Sequence, residues 1–137
     1  MKRIGCATFF LIALQAQAAG FDPVKDVAIT LRGGILSVAV PSGAHLKTRT
    51  FKITLLSKGT LKLGPLPPSA GIDDAGDPIW RGTVRVALTG AHLEDPAWLE
   101  VRYQPCTEGA AGVCYLPQKR KLEVVAAELA AEPSPRP

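Results

Sequence analysis

"IWRGTVRVALTG" occupies positions 79–90. Trp80, Gly82, Val84, Val86 and Leu88 alternate there with Arg81, Thr83, Arg85 and Ala87. A period of two turns one set of side chains to a core and the other to water, which is the geometry of a strand and not of a helix. The rhythm recurs on both sides. Phe51, Ile53 and Leu55 alternate with Lys52 and Thr54; Leu99, Val101 and Tyr103 with Glu100, Arg102 and Gln104; Leu122 and Val124 with Lys121 and Glu123. Upstream, Val27 to Leu31 and Ile35 to Val40 flank Gly33-Gly34, a two-residue hairpin signal. Pro and Gly punctuate the runs at Pro41, Gly43, Gly64, Pro65, Gly90 and Pro96. Six or seven short strands with polar turns predict an all-β chain folded as an antiparallel β-sandwich, with a closed barrel as second choice.

The chain's 137 residues suffice for one core. Lys2 and Arg3, the apolar run Ile4 to Leu14, and Ala16-Gln17-Ala18 have the order of a secretory signal peptide. The run is shorter than the roughly 20 residues that span a bilayer. Residues 1–18 are therefore expected to be a signal peptide cleaved before Ala19, residues 19–125 the domain, and the Ala-, Glu- and Pro-rich residues 126–137 a disordered tail. Of three cysteines, Cys6 leaves with the signal peptide, so an even pair remains. Export also predicts that two nearby thiols form a disulfide. Taking Lys2 and Arg3 from the 16 basic residues leaves 14 against 12 acidic ones, a net charge of +2. No basic patch is interleaved with aromatics, which argues against nucleic-acid binding. Gly64 to Pro78 holds four prolines, three glycines and three aspartates and reads as a long loop, a place where small domains often carry function.

The pair Cys106 and Cys114 lies in "PCTEGAAGVCYLP", positions 105–117. Across an antiparallel pair, facing Cα atoms sit about 4.5 to 5.5 Å apart, which suits a disulfide. If Cys106 faces Cys114, a continuous ladder puts Leu99 opposite Lys121, although Leu122 and Val124 carry the core side. A bulge or break must shift the register, and Pro117, which cannot donate to a ladder, is a natural place. Spacing alone leaves two readings open. One is a stapling disulfide, for which a nine-residue loop gives only about 2.6 kcal/mol of chain-entropy stabilisation. The other is a short-range, exposed bridge that opens and closes. Zinc prefers four tight ligands, and the only histidines, His45 and His92, are far from the cysteines in sequence, so neither a metal nor a cofactor is expected. The C-x7-C spacing also differs from the C-x-x-C of thioredoxin-type enzymes.

Beyond spacing, "LEVRYQPCTEGAAGVCYLPQKRKLEV", positions 99–124, resembles the cysteine-bearing segment of the N-terminal periplasmic domain of the thiol:disulfide interchange protein DsbD. The shared features are Tyr103, Gln104, Cys106, Gly112, Cys114, Tyr115 and Pro117, in a Tyr-Gln-x-Cys then Gly-x-Cys-Tyr-x-Pro order. Softer likeness extends from about Val27 to Val124. The resemblance implies an immunoglobulin-like sandwich with a redox-active pair. Cys114 would form the mixed disulfide and Cys106 would resolve it. The implied partners are periplasmic thioredoxin-fold proteins, such as disulfide isomerases and cytochrome c maturation proteins. That family's membrane and thioredoxin-like domains have no counterpart in these 137 residues, so the expected electron donor is a separate membrane protein. The family covers its thiols with a cap loop of acidic residues followed by an aromatic. Asp73 and Asp74 fit the acidic part, and Ala75 stands where phenylalanine is expected.

Other residues have plainer expectations. Asp73 or Asp74 either tunes thiol acidity or belongs to a solvated turn. Tyr103 is expected in the core, and Tyr115 in the core or beside the disulfide. Trp80 and Trp98 are expected in the core, His45 and His92 in turns, and Lys119-Arg120-Lys121 on a solvated strand edge. The rival functional reading is a non-enzymatic secreted binding or assembly module with a structural disulfide.

Overall fold

The computed structural model describes residues 20–126 and residue 129, and among them no α-helix forms. The signal peptide expected over residues 1–18 lies outside the described residues, as does the tail of residues 126–137 apart from Ala126 and Leu129. The strands are β1 (Ala28–Arg32), β2 (Ile35–Ala39), β3 (Ala44–Lys47), β4 (Lys52–Leu55), β5 (Thr60–Leu63), β6 (Gly71–Ile72), β7 (Pro78–Trp80), β8 (Thr83–Ala91), β9 (Ala97–Tyr103), β10 (Pro105–Thr107) and β11 (Gln118–Val124).

All pairings are antiparallel. The strand orders are β1-β2-β8-β5, β10-β3-β7-β6 and β11-β9-β4. Gly33 and Gly34 close the β1–β2 hairpin with φ of 57° and 72°, and Arg32 pairs with Ile35 across them. Positive φ at both turn positions is the backbone that a tight hairpin needs and that glycine adopts at no steric cost. β8 realises the alternation of positions 80–88: Val84, Val86 and Leu88 are buried, and Thr83, Arg85 and Ala87 are exposed. Leu36 and Val38 of β2 meet them across the core from Leu99 and Val101 of β9 and Val124 of β11. Ile53, Leu46 and Trp80 complete one apolar cluster shared by the three sheets, and Leu129 joins it. Each such side chain, taken from water to the interior, contributes about 1.5–3 kcal/mol.

Several expectations change, the strand number among them, with eleven short strands among the described residues in place of six or seven. Trp98 is 42% exposed. Leu99, Val101 and Tyr103 hold the inner face of β9, so parity sends Trp98 to the outer face with Glu100 and Arg102. The stretch 64–78 is not wholly irregular, because Gly71 and Ile72 form β6 and pair with Pro78 and Ile79 of β7. Arg120 is not a solvated cation. Its guanidinium donates to the Val27 carbonyl at 2.7 Å and to the Val24 carbonyl, and it lies 5.7 Å from the Tyr103 ring centroid.

Candidate functional site: a cystine on an edge strand

Cys106 sits in β10, the end strand of its sheet, and β10 pairs with β3. Cys114 follows the loop from Glu108 to Val113 and forms an isolated antiparallel bridge back to Cys106. The two are joined as a disulfide with Cα atoms 4.0 Å apart. The expected jog in register is present. Cys106 faces Cys114, whereas Tyr103 faces Gln118, so three residues, Tyr115 to Pro117, oppose two, Gln104 and Pro105. That extra residue returns Leu122 opposite Leu99 and keeps both on the core side.

The loop between the cysteines is closed by its own hydrogen bonds. The Thr107 N–H donates to Val113 O at 2.8 Å, the Val113 N–H to Thr107 Oγ1 at 2.9 Å, and the Gly112 N–H to Gly109 O at 2.9 Å. The Glu108 N–H reaches Gly43 O at 2.8 Å and ties the loop to the turn before β3. Gly112 is required by close approach: a Cβ there would meet the Thr107 carbonyl oxygen at 2.4 Å. The Gly-x-Cys of the motif is thus a packing constraint that sets Cys114 at the mouth of the loop.

The two sulfur-bearing residues are unequally placed. Cys106 is 1% exposed, whereas Cys114 is exposed. Both line an open cleft of about 370 Å³ together with His45, Lys47, Asp73 and Glu108. Asp74 and Ala75 line it as well, so the turn after β6 lies beside the disulfide. Asp73 organises that turn by accepting hydrogen bonds from the Ala75 N–H at 3.0 Å and the Asp77 N–H at 2.9 Å. Those bonds, the Asp77 one foremost, hold its carboxyl below the usual carboxylate range, and Lys47 reinforces the effect. Lys47 Nζ lies 3.3 Å from Asp73 and 2.8 Å from Asp77, and the Asp77 bond raises its pKa. A cation of β3 therefore fastens the acidic turn over the cleft.

Tyr103 and Tyr115 do not line the cleft. Tyr103 is buried and donates from its hydroxyl to Pro23 O at 2.9 Å; burial raises its pKa. Tyr115 donates to Phe21 O at 3.2 Å and packs on the Phe21 ring, with centroids 5.5 Å apart. Both fasten the segment before β1. Gln104 acts locally, its side-chain N–H donating to Tyr115 O at 3.0 Å across the register jog.

The sequence reading missed His45, Arg81 and Glu108. His45 is not in a turn but in β3, only 6% exposed, and directly opposite Cys106. Its Nδ1 lies 3.3 Å from Glu108 Oε1, and Arg81 Nε donates to the same oxygen. The Arg81 bond is the main cause of a lowered Glu108 pKa. Reading Ala44-His45-Leu46 as a strand would have put His45 on the face opposite the core residues Ala44 and Leu46. Its burial on that face comes from the cleft walls, which no local pattern shows. Among the described residues no three His, Cys, Asp or Glu side chains gather as a metal site requires. Nor is any described helix long and apolar enough to cross a membrane.

Fold and site together define an immunoglobulin-like β-sandwich with a cystine at its rim, one sulfur residue open and the other enclosed. Two solved structures share that architecture. The N-terminal domain of DsbD from Neisseria meningitidis, in its reduced form, is 18% identical with a TM-score of 0.55, covering 77% of this chain and 89% of that one. The complex of the DsbD and PilB N-terminal domains from the same organism gives 18% identity and a TM-score of 0.51 over 77% of this chain and 87% of that one. The sequence matches no family model and no curated protein.

Proposed function

We propose that this chain is a periplasmic thiol:disulfide exchange module that passes electrons through Cys106 and Cys114 to oxidised envelope proteins, and so acts as a protein-disulfide reductase. The unequal exposure of the pair is the observation that carries this reading: a visiting thiolate reaches Cys114, and Cys106 is enclosed behind it. Exchange needs a thiolate, an accessible sulfur in line with it, and a leaving sulfur. In the dithiol form, the Cys114 thiolate attacks a partner disulfide and forms a mixed disulfide, and the partner's second sulfur leaves as a thiolate. Cys106 then gives up its proton and attacks Cys114 Sγ. The intermolecular bond breaks, the partner departs with two electrons, and the Cys106–Cys114 disulfide re-forms. Recharging requires a donor dithiol, which we assign to a separate membrane electron carrier.

The partners this cleft suits are thioredoxin-fold proteins, disulfide isomerases and cytochrome c maturation proteins among them. The DsbD N-terminal domain from Neisseria meningitidis forms a complex with the PilB N-terminal domain, which supports a protein as the partner. Trapping with single-cysteine variants tests the proposal. Cys106→Ala, applied to a periplasmic extract, accumulates mixed disulfides through Cys114 that dithiothreitol releases, and Cys114→Ala does not. Traps only with Cys114→Ala reverse the two roles. Traps with neither leave the rival reading, a binding or assembly module whose disulfide pins a loop.

A further inference from the structure

His45 stands directly across the β3–β10 ladder from Cys106. Side chains opposite one another in an antiparallel pair share a face, with Cβ atoms about 4.5–5.5 Å apart. His45 is 94% buried as a residue and lines the cleft of both cysteines; Nδ1 has only the Glu108 carboxylate nearby, and Nε2 has no hydrogen-bond partner among the described residues. An unpartnered buried polar group costs free energy, so its retention at this position calls for a use. Lys47, Arg81, Asp73, Asp74 and Glu108 share the cleft, and both cations among them are already engaged. Lys47 is held by Asp73 and Asp77, and Arg81 by Glu108. The Glu108 carboxylate lies 3.3 Å from Nδ1, close enough to orient the ring.

The chemistry of the pair has a matching need. When a donor thiolate attacks Cys114 Sγ, the Cys106–Cys114 bond breaks and its electron pair goes to Cys106 Sγ. A thiolate in an enclosed site is disfavoured unless a cation or proton meets it.

We propose that His45 is the proton relay of the buried sulfur. It protonates Cys106 as that sulfur leaves during reduction of the disulfide, and takes the proton back when Cys106 attacks Cys114 to release the reduced partner. Glu108, itself held by Arg81, orients the ring. The inference rests on the exchange reading above. Each cycle balances: the donor dithiol loses two electrons and two protons, the cystine gains both, and His45 is restored as each proton returns.

The test uses the full chain in its oxidised form and dithiothreitol as reductant. Reduction rates are divided by the dithiothreitol thiolate fraction from about pH 5 to 8, the range in which histidine changes charge. In the wild type this corrected rate is high at acid pH and falls through one titration as the imidazolium loses its proton. In His45→Gln the step disappears, and the acid-side rate drops about a hundred-fold, the low end for general acid–base catalysis. In Glu108→Gln, where the ring loses the carboxylate that orients it, the acid-side rate falls several-fold, which keeps the question answerable if His45→Gln does not fold. Superimposable profiles for the wild type and a folded His45→Gln, or an unchanged acid-side rate in Glu108→Gln, overturn the relay and leave the exchange reading standing. A wild-type disulfide that dithiothreitol reduces only after unfolding removes the exchange reading, and the relay with it.

Discussion

Cys114 is exposed and Cys106 is buried, and that difference supports the proposed order of attack. Resemblance, not spacing, supplied the roles of the two cysteines, and exposure supports the same order. Gly112 shows what the sequence carries without announcing it. The glycine of Gly-x-Cys is needed because the Thr107 carbonyl occupies the space a methyl group would take. Gly112→Ala is expected to cost about 1–3 kcal/mol in a denaturant titration, as overpacking against backbone does, and a change within about 0.5 kcal/mol contradicts the close approach. Asp73 permits a pH prediction. Its carboxyl is depressed by the Asp77 amide first and Lys47 after it, so its stabilisation is complete above the unfolded value near about 3.9 and is lost as pH falls through the folded value. Lys47, raised by Asp77, contributes fully below about 10.4 and loses that contribution as pH rises through its folded value. The acidic turn is therefore fastened across the neutral range. An NMR titration of Asp73 should show a midpoint below about 3.9; one above it contradicts the turn geometry.

At the scale of elements, alternation placed β8, β9 and β11, and Gly33-Gly34 placed the first hairpin. The jog at Tyr115 to Pro117 was legible because two facts conflicted: facing cysteines, and a core side that only an offset ladder preserves. β3 was not legible, since Ala44, His45 and Leu46 are all buried and a strand enclosed on both faces has no alternation to read. β6 escaped notice because two residues are too few to show a period. The turn after β6 was expected near the thiols on resemblance, and its tie to Lys47 came only from the structure. Lys47→Met should free it. Limited proteolysis between Ile72 and Asp77 is expected to speed up several-fold while global unfolding shifts little; unchanged cleavage contradicts the fastening role.

For the whole molecule, one core shared by three sheets carries the stability, and the cystine lies outside it at an edge. Leu99→Ala is expected to cost about 2–5 kcal/mol, as buried leucines do. Trp98→Ala, on the solvent face of the same strand, should stay within about 0.5 kcal/mol. Comparable losses from both contradict the register of β9. The double Cys106→Ser, Cys114→Ser variant should remain folded, short of the wild type by no more than about 2.6 kcal/mol, the entropy of a nine-residue loop. That figure suits a staple as well as an exchanging bridge, so stability does not separate the two purposes. Its reduction potential is the most direct measurement. Equilibration of the full chain against glutathione or dithiothreitol buffers should give a value above about −300 mV, in the range of disulfides that cells open and close, and a value well below it would mark the bridge as a structural staple.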